Sequence, residues 1–345
     1  MNNQCRKMNR LLGILLVLGT VSAHAAVRCG MTVSENVVLD RDLYCENSDL
    51  GYALKVGVDD ITIDMNGHHI FGRDLGIGIQ GKDVKGFALM GNGGTISNFE
   101  LGVELTDSSA ATIKDVMFNK NILAGISSQS TKNDIIDHQF YSNTFSYGEY
   151  GILVGNNFSH NQGLESSGHK IMDNQFYRID INIGLYFSAN TEISNNFIWR
   201  AQRAGVVLVS SDHNHIHNNQ ILDSNSNAIE ISNSSSNNIS GNYFDGGVFG
   251  MFIVTTAYVG GCTPADLSEF NQVTENYFYH FDWGVYLRTF SCGEVRTNQV
   301  TNNKIYDNDV GIYLSGAVRD NDLTGNGYVD TVTPIFDASD GNNDY

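Results

Sequence analysis

The chain has 345 residues, with 20 Lys and Arg against 38 Asp and Glu, a formal net charge of −18. That balance removes the basic footprint that nucleic acid or an anionic membrane surface would require. It also disfavours a polyanionic saccharide unless a cation or a local basic cluster mediates the contact.

Residues 1–25 have the make-up of a secretory signal peptide. Arg6, Lys7 and Arg10 precede the apolar run LLGILLVLG, and Ala23-His24-Ala25 supplies small residues where a signal peptidase cuts. The run is too short to span a membrane. Its removal leaves 17 basic against 38 acidic residues, or −21, so a soluble, acidic, exported chain is expected, periplasmic or secreted. Of the remaining cysteines, Cys29 and Cys45 bracket a short N-terminal segment, and Cys262 and Cys292 fall in turns of neighbouring repeats. Disulfides Cys29–Cys45 and Cys262–Cys292 are therefore expected.

Residues 26–50, with the alternating MTVSENVVLDRDLYC, are expected to cap an open apolar end. Residues 51–328 repeat. An Asn recurs at Asn174, Asn196, Asn219, Asn242, Asn276, Asn303 and Asn326, always three residues after an apolar anchor such as Ile216 and two before another such as Ile221. A small residue precedes an alternating strand at Gly76, Gly102, Gly125, Gly151, Gly184, Gly205, Ala228, Gly250, Gly284 and Gly311. A period of this size with period-2 strands and polar turns predicts an all-β solenoid, a single domain of about eleven coils stacked roughly 4.8 Å apart. The recurrent Asn is expected to form a ladder from coil to coil. Asn66 and Asn92 are read as the start of that row, with Val116 and His138 interrupting it.

Two coils are long. The insertions NNFSHNQGLESSG and TTAYVGGCTPADLSEF are expected to emerge as loops bordering a binding surface. Residues 329–345 lose the pattern and read as a C-terminal tail.

The repeats GVVLVSSDHNHIHNNQI, AIEISNSSSNNISGNYF and GIYLSGAVRDNDLTGN, with the opening CGMTVSENVVLDRDLYC and ITIDMNGHHIFG, resemble the right-handed parallel β-helix repeat proteins. That group includes pectate-lyase-like enzymes, the carbohydrate-binding and sugar-hydrolysing repeat domain, and a periplasmic copper-maturation protein. The resemblance implies a right-handed parallel β-helix whose ligands lie along an outer strand face. The chain departs from two of these patterns. It lacks the Asn-Thr-Asp, Asp-Asp and Arg-Ile-Lys set of polygalacturonase-like hydrolases, and the Asp-Pro-His-Asp stretch of mannuronan epimerases.

Counting two residues from each small-residue mark gives an outward row of Gly78, Glu104, Ser127, Leu153, Tyr186, Val207, Glu230, Phe252, Tyr286 and Tyr313. Its aromatic members are expected to face sugar rings, with Arg203 and Glu230 bonding hydroxyls. Asp282 and Asp309 stand two residues before Gly284 and Gly311, so their carboxylates are expected about 5 Å apart. With Arg288 they form the candidate catalytic set, either holding a cation such as calcium for elimination or acting as an acid and base pair in hydrolysis. His213, His215 and His217 alternate and are a candidate metal set, with His160 and His169 nearest to complete it. The leading expectation is an exported monomer that binds an extended polysaccharide and, as an enzyme, cleaves it. A non-catalytic envelope or adhesion module and a periplasmic metal-handling protein are the alternatives.

Overall fold

A computed structural model describes residues 26–45, 50–156, 165–256, 266–290 and 292–345. The described residues contain strands and turns only, wound into a right-handed parallel solenoid of about eleven coils. Each regular coil carries three strands. In one coil these are a long strand Ala204–Val209, a second strand His215–His217 and a third strand Gln220–Leu222. The second strands alone form an eleven-stranded parallel sheet. The segment expected to be a signal peptide lies outside the described residues, among which no helix is long and apolar enough to cross a membrane.

Alternation dictates this architecture. Val206, Leu208, Ile216 and Ile221 point inward and are fully buried, and Ile229, Ile231, Ile239 and Phe244 repeat them one coil on. Stacked columns result, such as Phe118, Phe145 and Phe176 with ring centroids 5.0 and 4.8 Å apart. The small-residue mark has a steric cause. A Cβ on Gly250 would sit 2.5 Å from the Gly284 carbonyl oxygen and 2.5 Å from the Phe278 ring, closer than packed atoms tolerate.

Two Asn ladders brace the turns. In the first, Asn196 donates from its backbone N and from Nδ2 to Asn219 Oδ1, at 2.9 Å each, and the pattern runs from Asn143 to Asn326. The second, five residues earlier in each coil, runs through Asn214, Asn237, Asn271, Asn298, Asn321 and Asn343. His138 belongs to this second ladder. Its Nδ1 accepts from the Ala111 amide at 3.0 Å, while His169 Nδ1 accepts from the His138 amide at 3.2 Å. The first row is held in that coil by Asn143, whose Oδ1 accepts from the Val116 amide. Asn66 and Asn92 do not start the row; both adopt left-handed turns and bond to Leu39 and Asp64 instead.

Both ends continue the solenoid. Met31–Val33, Val37–Val38 and Leu43–Tyr44 each pair in parallel with the next coil, so the segment expected as a cap is itself a coil. The Cys29–Cys45 disulfide, with Cα atoms 5.4 Å apart, closes it. The tail expected from residue 329 onward also stays in register. Thr333–Ser339 pairs with Val310–Gly316, and Ile335 continues the inward column beside Ile312. Cys292 is disulfide-bonded; its expected partner Cys262 lies outside the described residues.

Candidate functional site

The outer face of the long-strand sheet is set by backbone register. The row reads Lys55, Gln80, Glu104, Ser127, Leu153, Gly184, Val207, Glu230, Phe252, Tyr286, Tyr313 and Phe336. Eight of the ten expected members stand in it. Gly78 and Tyr186 do not, for one reason: the close-approach position in their coils is filled by Gly78 and Asn182, not by Gly76 and Gly184. Each outward assignment therefore shifts by two residues. Tyr186 projects one step further along the strand, paired with Gly155 and Val209.

Aromatic rings cover the C-terminal part of this face. Phe249 stacks on Trp283 at 5.0 Å and on Phe252 at 5.1 Å, Tyr286 meets Tyr313 edge to face at 4.8 Å, and Tyr313 stacks on Phe336 at 5.1 Å. Phe249 and Trp283, neighbours of the expected row, stand one residue before the small-residue mark, outside a count that starts at the mark. Tyr286 is only 7% exposed. Arg288 lies over the Phe290 ring at 4.0 Å and the Tyr286 ring at 5.8 Å.

Toward the middle of the sheet the face is closed by an apolar cluster. Ile181, Tyr186, Ala204, Val207 and Val209 are buried on the outside of the solenoid, forming a cluster apart from the main core. Tyr186 and Tyr150 share a hydroxyl hydrogen bond of 3.0 Å. Beside them Glu230 accepts from Asn227 Nδ2 at 2.9 Å. Burial raises the Glu230 pKa, while the nearby Arg203 charge and the Asn227 hydrogen bond pull it back. Burial, with the Tyr150 hydrogen bond, likewise raises the Tyr186 phenol.

The expected catalytic set divides. Asp282 and Asp309 do occupy equivalent positions in adjacent coils, each preceding a paired residue, Trp283 and Val310. Both are exposed, and neither makes a side-chain hydrogen bond or ion pair among the described residues. Arg288 stands six residues beyond Asp282 on the same strand, roughly 20 Å away. Arg203 shares the Asp282 column three coils earlier, roughly 14 Å distant. Neither arginine reaches the carboxylate pair.

The histidine set is also broken. His213 takes a left-handed turn before the strand, leaving His215 and His217 on the outer face with rings 4.1 Å apart. His217 is bonded to Glu192 at 3.3 Å and to Asn218. His169 faces the interior, and His160 lies outside the described residues. Among the described residues no three His, Cys, Asp or Glu side chains are grouped to hold a metal ion.

Comparison with known proteins bears on the fold. Residues 101–264 match the family model described as a right handed beta helix region. No curated protein sequence matches the chain. A periplasmic alginate epimerase structure is similar at 13% identity and a TM-score of 0.58, covering 91% of this chain and 79% of that one. PfbA, a surface adhesin of Streptococcus pneumoniae, is similar at 14% identity and 0.53, covering 91% and 82%. DFA-IIIase from Arthrobacter chlorophenolicus A6 is similar at 13% and 0.51, covering 79% and 70%. Register, ladders and family match agree that the chain folds as a right-handed parallel β-helix.

Proposed function

We propose that the chain binds an extended saccharide along the outer face of its long-strand sheet, in an extracytoplasmic compartment. The observation that carries this reading is the continuous row Glu230, Phe252, Tyr286, Tyr313 and Phe336, flanked by Phe249 and Trp283. Four aromatic coils at roughly 4.8 Å make a strip about 14 Å long, the span of a few sugar units. The rings pack on one another, so the strip offers ring edges and two end faces, an apolar surface beside polar groups that suits the apolar face of a pyranose. Two similar structures are named for an alginate epimerase and a surface adhesin, and both uses of a β-helix are compatible with such a strip. The Cys29–Cys45 disulfide supports the compartment.

A second reading, that the bound chain is also cleaved, rests on Glu230. A carboxyl whose pKa is raised by burial, against the opposing pull of Arg203 and the Asn227 hydrogen bond, is placed to exchange a proton with a leaving oxygen. This moves the proposed chemistry away from Asp282, Asp309 and Arg288.

Two variants separate the readings. Trp283→Ala is expected to weaken retention on an immobilised polysaccharide by roughly tenfold, given about 1 kcal/mol or more per lost aromatic contact. Glu230→Gln is expected to keep retention and abolish new reducing or unsaturated ends. Retention unchanged by Trp283→Ala contradicts the binding surface; turnover unchanged by Glu230→Gln removes the catalytic role.

A further inference from the structure

Where each third strand turns into the next long strand, the corner residue is left-handed in coil after coil. The φ values are 56° at Tyr147, 57° at Arg178, 57° at Arg200 and 54° at Asp223. Register places the four in one column, because the residues before them, Ser146, Tyr177, Trp199 and Leu222, pair in succession. Left-handed backbone favours Gly, which Gly246 supplies one coil on, and tolerates Asn and Asp because their short side chains bond locally. Arg gains neither benefit. Arg178 and Arg200 are the two arginines in this conformation among the described residues, in a column that also holds Lys120, Tyr147 and His280.

Both guanidinium groups lie against one indole. Arg200 is 4.4 Å and Arg178 5.6 Å from the Trp199 ring centre, a cation–π arrangement that fixes two long side chains in place. The indole is itself anchored, its Nε1 donating to the Asp223 carboxylate at 3.2 Å. Arg200 makes a loose ion pair with that carboxylate at 3.8 Å, and Arg178 makes none among the described residues. Gln202 is held by Asn225 at 3.0 Å and donates to the Arg200 carbonyl at 3.1 Å. Tyr147, Arg178, Arg200, Gln202, Asp223 and Asn225 line an open cavity of about 800 Å³. Two cations facing one carboxylate leave a local positive charge on a chain whose total is −18.

We propose that this corner is an oxyanion site, taking a carboxylate, sulfate or phosphate group between Arg178 and Arg200. Paired guanidinium forks match the geometry of such groups, and the indole prevents the arginines from turning back to the acidic surface. The site supplies the local basic cluster without which so acidic a chain would repel an anionic ligand. It stands independently of the saccharide strip, which lies on a different face.

The test is a titration of the full chain with inorganic sulfate, inorganic phosphate and glucuronate at constant ionic strength, with glucose as the neutral control. Tryptophan fluorescence is the readout, Trp199 being one of two tryptophans. A saturable change is expected with the oxyanions and not with glucose. Arg178→Gln and Arg200→Gln should each weaken it by roughly tenfold, the loss of one charge-assisted contact, while Arg200→Lys retains part of the affinity. Tighter binding of glucuronate than of the free ions places the oxyanion on a sugar; the reverse order names a free anion. The proposal is overturned by no saturable change with any oxyanion. It is equally overturned by an Arg178→Gln/Arg200→Gln chain that keeps its circular dichroism and titrates as the parent does.

Discussion

Single amides and imidazoles carry much of this fold. Asn219 Oδ1 accepts two hydrogen bonds from Asn196, and its Nδ2 donates to Ile193 O and Asn242 Oδ1. Asn219→Ala strands a buried donor on Asn196, and a loss of about 1–3 kcal/mol in chemical denaturation is expected. His138 and His169 stack in the second ladder at 5.2 Å and are buried as neutral rings. Burial lowers the His138 pKa to about 4 and that of His169 well below its usual value. The unfolded chain therefore binds protons first as the pH falls. Stability is complete above about pH 6.5 and declines toward pH 4, on the order of 1 kcal/mol per pH unit for each ring. Replacing both by Asn, the residue the ladder uses elsewhere, should flatten this dependence in denaturation curves recorded at pH 7 and pH 5; an unaltered slope would contradict the assignment.

At the scale of the strand and its turns, the sequence shows periodicity more faithfully than register. The inward anchors are legible because they are apolar from coil to coil, and the first Asn row because its amide recurs in each coil from Asn143 to Asn326. The second ladder is also written there, as Asn214 before Asn219 and Asn237 before Asn242, but His138, His169 and Thr191 disguise its start. The outward row fails where the small-residue mark is ambiguous. Asn182 takes the place of Gly, so Gly184 draws the count two residues too far and misplaces Tyr186. The corner arginines do recur one repeat apart, four residues after Asn174 and Asn196, but their meaning depends on the Trp199 ring reaching Arg178 of the preceding coil, which the sequence does not show. The mark itself makes a prediction. Gly250→Ala puts a methyl against the Gly284 carbonyl and the buried Phe278 ring, and should cost about 1–3 kcal/mol by overpacking. A thermal midpoint equal to that of the parent would show that the coil spacing yields more readily than these contacts imply.

The molecule as a whole is an acidic rod whose sheets present different surfaces. The second-strand sheet presents Lys170, Glu192, His215, Asn238 and Gln272 to solvent in register, a row of ordinary polar groups. The long-strand sheet presents a half-buried carboxyl followed by stacked rings. Rings also group on the third-strand sheet, at Tyr243, Tyr277, Tyr279 and Tyr306, but the long-strand strip is the one continuous with Glu230, and an apolar strip beside a carboxyl suits a surface that meets a ligand. The direct measurement is retention of the purified chain on an array of neutral and acidic polysaccharides, read alongside the Trp283→Ala variant. The account predicts saturable retention on at least one polysaccharide, weakened by the variant. Saturable retention on none of them, or retention that Trp283→Ala leaves unchanged, would contradict it.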